Sequence, residues 1–253
     1  PGLGFDIHTF REDQMILRRI AIELRDQNWV TVIIELLVVV VGIFLGLQAD
    51  AWNEARNDRQ KEQFHLGQLM TDAELNASEL GDLAAHHARL AEGLTFAIGA
   101  LKRGQLKPDE TERFKSAVLT MFQYPPALIN TGAYDALLQS GDFSTIRDPD
   151  LRLKLVSLNS FFEKVPERID KLTDGLSASD ILSDDLAYAI PHPSGRGIEW
   201  QVDFEGLRDH PGALGFLSTN RRNHSIVSDV YAYGQRESEE LGKYIAEASG
   251  AQE

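Results

Sequence analysis

Between Trp29 and Trp52 the chain reads WVTVIIELLVVVVGIFLGLQADAW, and this run constrains everything around it. Val30–Leu47 holds a single charge, Glu35. As an α-helix rising 1.5 Å per residue it covers about 27 Å, close to the ~30 Å hydrocarbon core of a bilayer. Trp29 and Trp52 stand where indole rings mark the two membrane interfaces. A buried core helix rarely carries so long a β-branched apolar run. A cleaved signal peptide has a shorter one and a small-residue cleavage site, which Ala49 and Ala51 offer only weakly. The run therefore predicts an uncleaved transmembrane helix over 29–48.

One face of that helix is unusual. Gly42 and Gly46 form a G-x-x-x-G pair that lets a second backbone approach closely. Glu35 lies two helical turns before Gly42 on the same stripe, with Val39 and Ala49 completing it. An ionisable group at that depth is costly against lipid, so the stripe is expected to face protein, either other membrane subunits or a second copy of the chain. The plainer reading is that glycine is common in such helices and that Glu35 snorkels towards Trp29. Arg11, Arg18, Arg19 and Arg25 precede the span, whereas Arg56, Arg59 and Lys61 follow it, a slight lean towards a cytoplasmic N-terminus. Residues 15–28 (MILRRIAIELRDQN) put Ile16, Leu17, Ile20 and Leu24 on one face, the pattern of a short helix in the interface. Arg18 and Arg19 join the two tryptophans as interfacial anchors. Residues 1–14 read as an N-terminal extension, with Met15 an alternative start.

Residues 49–253 read as an extramembrane helical domain. Apolar residues recur by sevens from Leu66 through Ala73, Leu80, Leu94 and Leu101, with His87 filling the remaining place. Parallel rows start at Leu69 and Met70, which makes a broad bundle-type stripe. A second helix is expected to open at Pro108 and to break at Tyr124-Pro-Pro. A short helix follows with Thr131 as N-cap and Gly141 just past its end, and another opens at Asp148-Pro149. The latter carries Leu151, Leu155, Leu158, Phe162, Val165, Ile169, Leu172 and Leu176 at alternating steps of four and three. Residues 189–197 read as a loop and 198–204 as a short strand or extended piece. A last helix is expected over about 211–247, with Phe216, Ile226, Val230, Tyr233, Leu241 and Ile245 apolar. The expected fold is all-α: one transmembrane helix continuing into an antiparallel helical bundle of about four long helices.

Composition excludes more chemistry than it suggests. A formal charge of −14 argues against nucleic acid as a partner. The absence of cysteine removes disulfides, thiolate metal sites and cysteine nucleophiles. No nucleophile elbow, phosphate-binding glycine loop, H-E-x-x-H or dinucleotide fingerprint occurs. Glu79, Asp82 and His86 share a helical face, which is more often a solvated face than a metal site, and His87 reads as a core histidine. No metal, no cofactor and no catalytic residue are expected. The stretch NTGAYDALLQSGDFSTIRDPD (130–150) gathers Tyr134, Asp135, Ser140, Asp142 and Arg147 around a short helix. These are candidate partner or ligand contacts, although helix capping accounts for much of the same pattern.

The MILRR at Met15, the span end VGIFLGLQADAWNEAR and the later YDALLQSGDFSTIRDPDLR together resemble a bacterial family of single-pass membrane proteins classed as a domain of unknown function. The resemblance runs from Met15 to the end of the chain. It implies a cytoplasmic N-terminus, one inner-membrane helix and a periplasmic helical domain, and no assigned activity. The expected function is accordingly an accessory or scaffolding subunit of a larger inner-membrane complex. A periplasmic ligand-binding sensory module acting through a partner is the alternative.

Overall fold

A computed structural model describes residues 29–174, 186–194 and 196–250, and the chain is mainly all-α. Among the described residues there are six α-helices and one two-stranded sheet. The helices before the sheet are α1 (Trp29–Arg103), α2 (Thr111–Leu119), α3 (Gly132–Ser140) and α4 (Pro149–Thr173). Strands β1 (Ala187–Pro191) and β2 (Ile198–Val202) follow, then helices α5 (Phe204–Asp209) and α6 (Ala213–Gly250). The interfacial helix expected at 15–28, with Arg18 and Arg19, lies outside the described residues, as does the 1–14 extension. The chain divides into two compact units, Pro1–Gln60 and Lys61–Glu253.

The described part of the first unit is the start of α1. This helix is long and apolar enough to cross a membrane, with a mean hydropathy of 2.9 over its best eighteen residues, none of them buried. Its large apolar side chains are open to their surroundings from Trp29 through Leu47. Nothing lies within 4 Å of where a Cβ would stand on Gly42 or Gly46.

In the second unit the heptad row of α1 is a core row. Leu66, Ala73, Leu80, His87, Leu94 and Leu101 are all buried. α4 buries Leu151, Leu155, Leu158, Phe162 and Val165, as its four-three spacing predicts, with Ile169 and Leu172 partly buried at its end. Asp148 caps this helix, its Oδ1 accepting from the amides of Asp150 (2.8 Å) and Leu151 (3.2 Å). α3 ends at Gly141 with φ +77°, a left-handed turn that glycine adopts without a Cβ clash. Thr131 occupies the N-cap position of α3, but its hydroxyl donates to Asp135 instead of capping an amide.

Three of the helices are long, at 75, 25 and 38 residues. The expected second long helix is nine residues only, since a turn at 120–122 and the prolines after it stop α2. The predicted 189–197 loop is shorter than expected. Its start pairs antiparallel with β2, from Ala187↔Val202 to Pro191↔Ile198. Tyr188, Ile190, Ile198 and Trp200 favour the pleated conformation, and proline sits at the strand end.

Two apolar clusters fill the unit. One joins α1 up to Ala84 with α3, α4 and the later part of α6; the other joins α1 from Leu94 with α2, α5 and the start of α6. Gly234 marks a tight approach within the first. A Cβ there would meet Leu80 at 2.9 Å and Phe161 at 3.0 Å, so only glycine lets α1, α4 and α6 converge.

Candidate functional site: a polar ladder and a buried imidazole pair on one helix

Helix α1 offers two polar features inside the second unit, and both lie on its packed side. The first is a row at alternating steps of three and four: Glu62, His65, Leu69, Asp72, Asn76 and Glu79. Its polar members grip the irregular backbone between α2 and α4. Glu79 accepts from the Leu128 amide at 3.3 Å. Asn76 is used twice, donating to the Asn130 carbonyl (2.8 Å) and accepting from the Asn130 amide (2.7 Å). Asp72 accepts from the Ala133 amide at 2.8 Å, and Glu62 from the Arg147 amide at 2.8 Å. Irregular backbone carries donors that no helix ladder satisfies, and this row supplies the partners. Glu62 and Asn76 are 2% and 3% exposed, a burial that such bonding alone makes tolerable.

The candidate contacts read from the sequence fall on this ladder or beside it. Arg147 meets Glu62 through its amide and through its side chain, Nε to Oε2 at 3.6 Å. Asp142 lies 3.7 Å from His65. Asp135 accepts from the Thr131 hydroxyl at 2.9 Å, and the Ser140 hydroxyl donates to the Leu137 carbonyl. Tyr134 stacks edge-on to Phe143 and lines a cavity of about 30 Å³ with Asp72, Asn76, Asn130 and Asn159. That volume holds a water molecule or two, far below the ~300 Å³ of an ordinary metabolite pocket. Each of the five thus has a local structural partner. Larger depressions of 270 and 480 Å³ lie on the α4/α6 surface and share Phe161 and Tyr233.

The second feature is a pair of fully buried imidazoles. His87 of α1 and His224 of α6 face each other Nδ1 to Nδ1 at 2.8 Å. The Nε2 of His224 lies 2.9 Å from the Met121 carbonyl. A carbonyl oxygen only accepts, so this Nε2 carries the proton and the neutral ring keeps Nδ1 bare. His87 must then donate from Nδ1, leaving its own Nε2 as an acceptor. That Nε2 is buried with no partner among the described residues, and so is the Tyr124 hydroxyl. Tyr124 stacks on His224 with ring centres 4.4 Å apart, and Tyr231 and His86 close the cluster around His87. Burial first, then the neighbouring His224 and His86, pulls the His87 imidazole from 6.5 down to about 3. His224 is also held below the usual range, chiefly by burial, with the Met121 carbonyl working the other way. Burial pushes the hydroxyls of Tyr124 and Tyr231 up to about 12, with Glu79 adding to the effect on Tyr231.

Sequence reasoning placed His87 in the core but missed His224, whose partner is 137 positions away and whose neighbours Asn220 and Asn223 are polar. Of the apolar residues that it named in this last helix, Ile226 and Tyr233 are exposed. The buried row of α6 runs instead through Phe216, Asn220, His224, Val227, Tyr231, Gly234, Ser238 and Leu241. No cluster of three or more metal-ligating side chains occurs among the described residues. No protein-family model, curated protein or solved structure matches the chain.

Proposed function

We propose that this chain is a single-pass membrane-anchored interaction protein, an accessory or scaffolding subunit of a larger inner-membrane assembly. The observation that carries the reading is the exposed apolar stretch at the start of α1, with open space over Gly42 and Gly46 on the stripe of Glu35. An apolar surface of that extent needs covering, by lipid on most sides and by protein on the side where glycine admits a neighbour. Val39 and Ala49 share that side, and Trp29 and Trp52, 61% and 64% exposed, are placed to anchor its ends. The partner is a second membrane protein or another copy of the chain. The N-terminus is cytoplasmic and the large domain periplasmic in this reading, as the arginines before the span and the family resemblance favour. The ladder on α1 is in keeping with this reading: Glu62 holds Arg147 and His65 lies beside Asp142, while Tyr134, Asp135 and Ser140 find partners within their own segment. The cavity beside Tyr134, about 30 Å³, is too small for a metabolite.

The test is purification of the full chain in mild detergent followed by native mass measurement. A defined complex is expected, and it should be lost on Gly42→Leu and weakened on Glu35→Leu. Lone monomers throughout would defeat the proposal.

A further inference from the structure

The imidazole pair lies where the two apolar clusters of the second unit meet. On α1, His87 follows Ala84 of the first cluster and precedes Leu94 of the second; on α6, His224 follows Leu217 of the second and precedes Val227 of the first. Tyr124, stacked on His224, packs against both clusters. At the seam between the two apolar bodies α1 and α6 are joined by the bond between the two neutral rings and, beside it, by the Ser228 hydroxyl donating to the Ala84 carbonyl at 2.9 Å. The bond between the rings has room for a single proton. A second proton, on the bare Nδ1 of His224, would set two N–H donors against each other at 2.8 Å. The groups facing the pair are His86 from α1, Tyr231 from α6 and Tyr124 from the segment after α2, with Glu79 acting on Tyr231. None is a carboxylate bonded to either ring, and neither ring is in an ion pair among the described residues. A charge formed here has no counter-ion, and a buried unpaired charge drives the structure to open.

We propose that His87 and His224 form an acid-sensitive latch, whose protonation parts α1 from α6 at this seam and frees the segment from Met121 to Tyr124 that packs on the pair. The sign follows from the lowered proton affinity of the closed form. The open form binds protons from an ordinary histidine value of about 6.5 downwards, whereas closed His87 resists until about 3. The contribution of His87 to closure is fully present above 6.5 and weakens throughout that window, by about tenfold for each pH unit. His224, also lowered, acts in the same direction.

The experiment is hydrogen exchange on the full chain in detergent at pH 7.5, 6 and 5, with intrinsic rates corrected for pH. Segments 84–90, 121–124 and 220–231 are expected to lose at least about 30-fold in protection between pH 7.5 and 5. The H87N/H224Q double variant keeps amide donors and acceptors at the paired positions without a titrating ring, so its protection should stay level. His65→Gln, at the other polar feature of α1, should behave as wild type. Unchanged wild-type protection at pH 5, or an equally steep loss in the double variant, overturns the latch. Should the double variant not fold, ring nitrogen resonances of the wild type decide. Two neutral rings in the closed state at pH 6 support the proposal, and two cationic rings in a still-protected state at pH 5 overturn it.

Discussion

Helix α1 carries two polar stretches on its packed side, about two turns apart, and they solve different problems. Between Glu62 and Glu79 four side chains accept from backbone amides, those of Glu62, Asp72, Asn76 and Glu79, while Glu62 Oε2 and His65 Nδ1 are left without a hydrogen bond. At His87 the helix meets other side chains, and the matching stops short. The His87–His224 bond is made, but His87 Nε2 and the Tyr124 hydroxyl are left over. A polar group bonded to irregular backbone stabilises the fold, because removing it orphans a partner as well. A buried polar group with no partner costs its desolvation and returns nothing. Polar groups at the two places are thus expected to respond to deletion with opposite signs.

The largest effect is expected at Asn76. Its side chain makes both a donor and an acceptor bond to Asn130, at 2.8 and 2.7 Å, while itself 3% exposed. Asn76→Ala removes both and leaves the backbone of the exposed Asn130 without its partner on α1. A loss of about 2 kcal/mol is expected, two bonds of about 1 kcal/mol each. Chemical denaturation of the full chain in detergent measures it, and a loss below about 1 kcal/mol would show that the 128–133 backbone finds water instead.

Next in size, and opposite in sign, is Tyr124→Phe. The ring packs against both apolar clusters and stays, while the unpartnered hydroxyl goes. Removing a buried donor that has no acceptor is expected to stabilise the domain by about 1 kcal/mol. The same denaturation measurement checks it. Destabilisation would mean that the hydroxyl has a partner after all, and the contrast between the two stretches would narrow.

How much of this was legible in the sequence follows the same division. Apolar rows on α1 and α4 were readable because leucine and phenylalanine recur at helical spacing there; the row from Leu66 to Leu101 and the stretch from Leu151 to Val165 are buried, while Leu176 lies outside the described residues. Asp148-Pro149 and Gly141 were readable because their local chemistry dictates helix ends. The buried face of α6 was not, since Asn220, Asn223, His224, Gly234 and Ser238 occupy it and carry no apolar signal. Their burial depends on partners in α1, α2's end and α4: Asn223 donates to the Leu172 carbonyl and His224 to that of Met121. Pairings across 51 and 103 positions leave no trace in local spacing. The 130–150 stretch was conspicuous in sequence for a reason that was structural: its glycines, aspartates and Arg147 are what a backbone gripped from α1 requires.

The smallest effect is expected at the start of the ladder, where it separates gripping the backbone from pairing charges. Asp142 and His65 approach only to 3.7 Å, and the Asp142 side chain is 30% exposed. Neither bonds a backbone amide of the other's segment, and the approach is an ion pair only when His65 carries a proton. Exposed pairs of this kind contribute about 0–1 kcal/mol. Asp142→Asn keeps the shape, and the change expected is below about 0.5 kcal/mol at neutral pH, several-fold smaller than at Asn76. Comparing the two variants in one denaturation series isolates what holds the segment. Equal losses at Asp142 and Asn76 would place the grip in side-chain charges, and a loss confined to Asn76 places it in the amides that α1 satisfies.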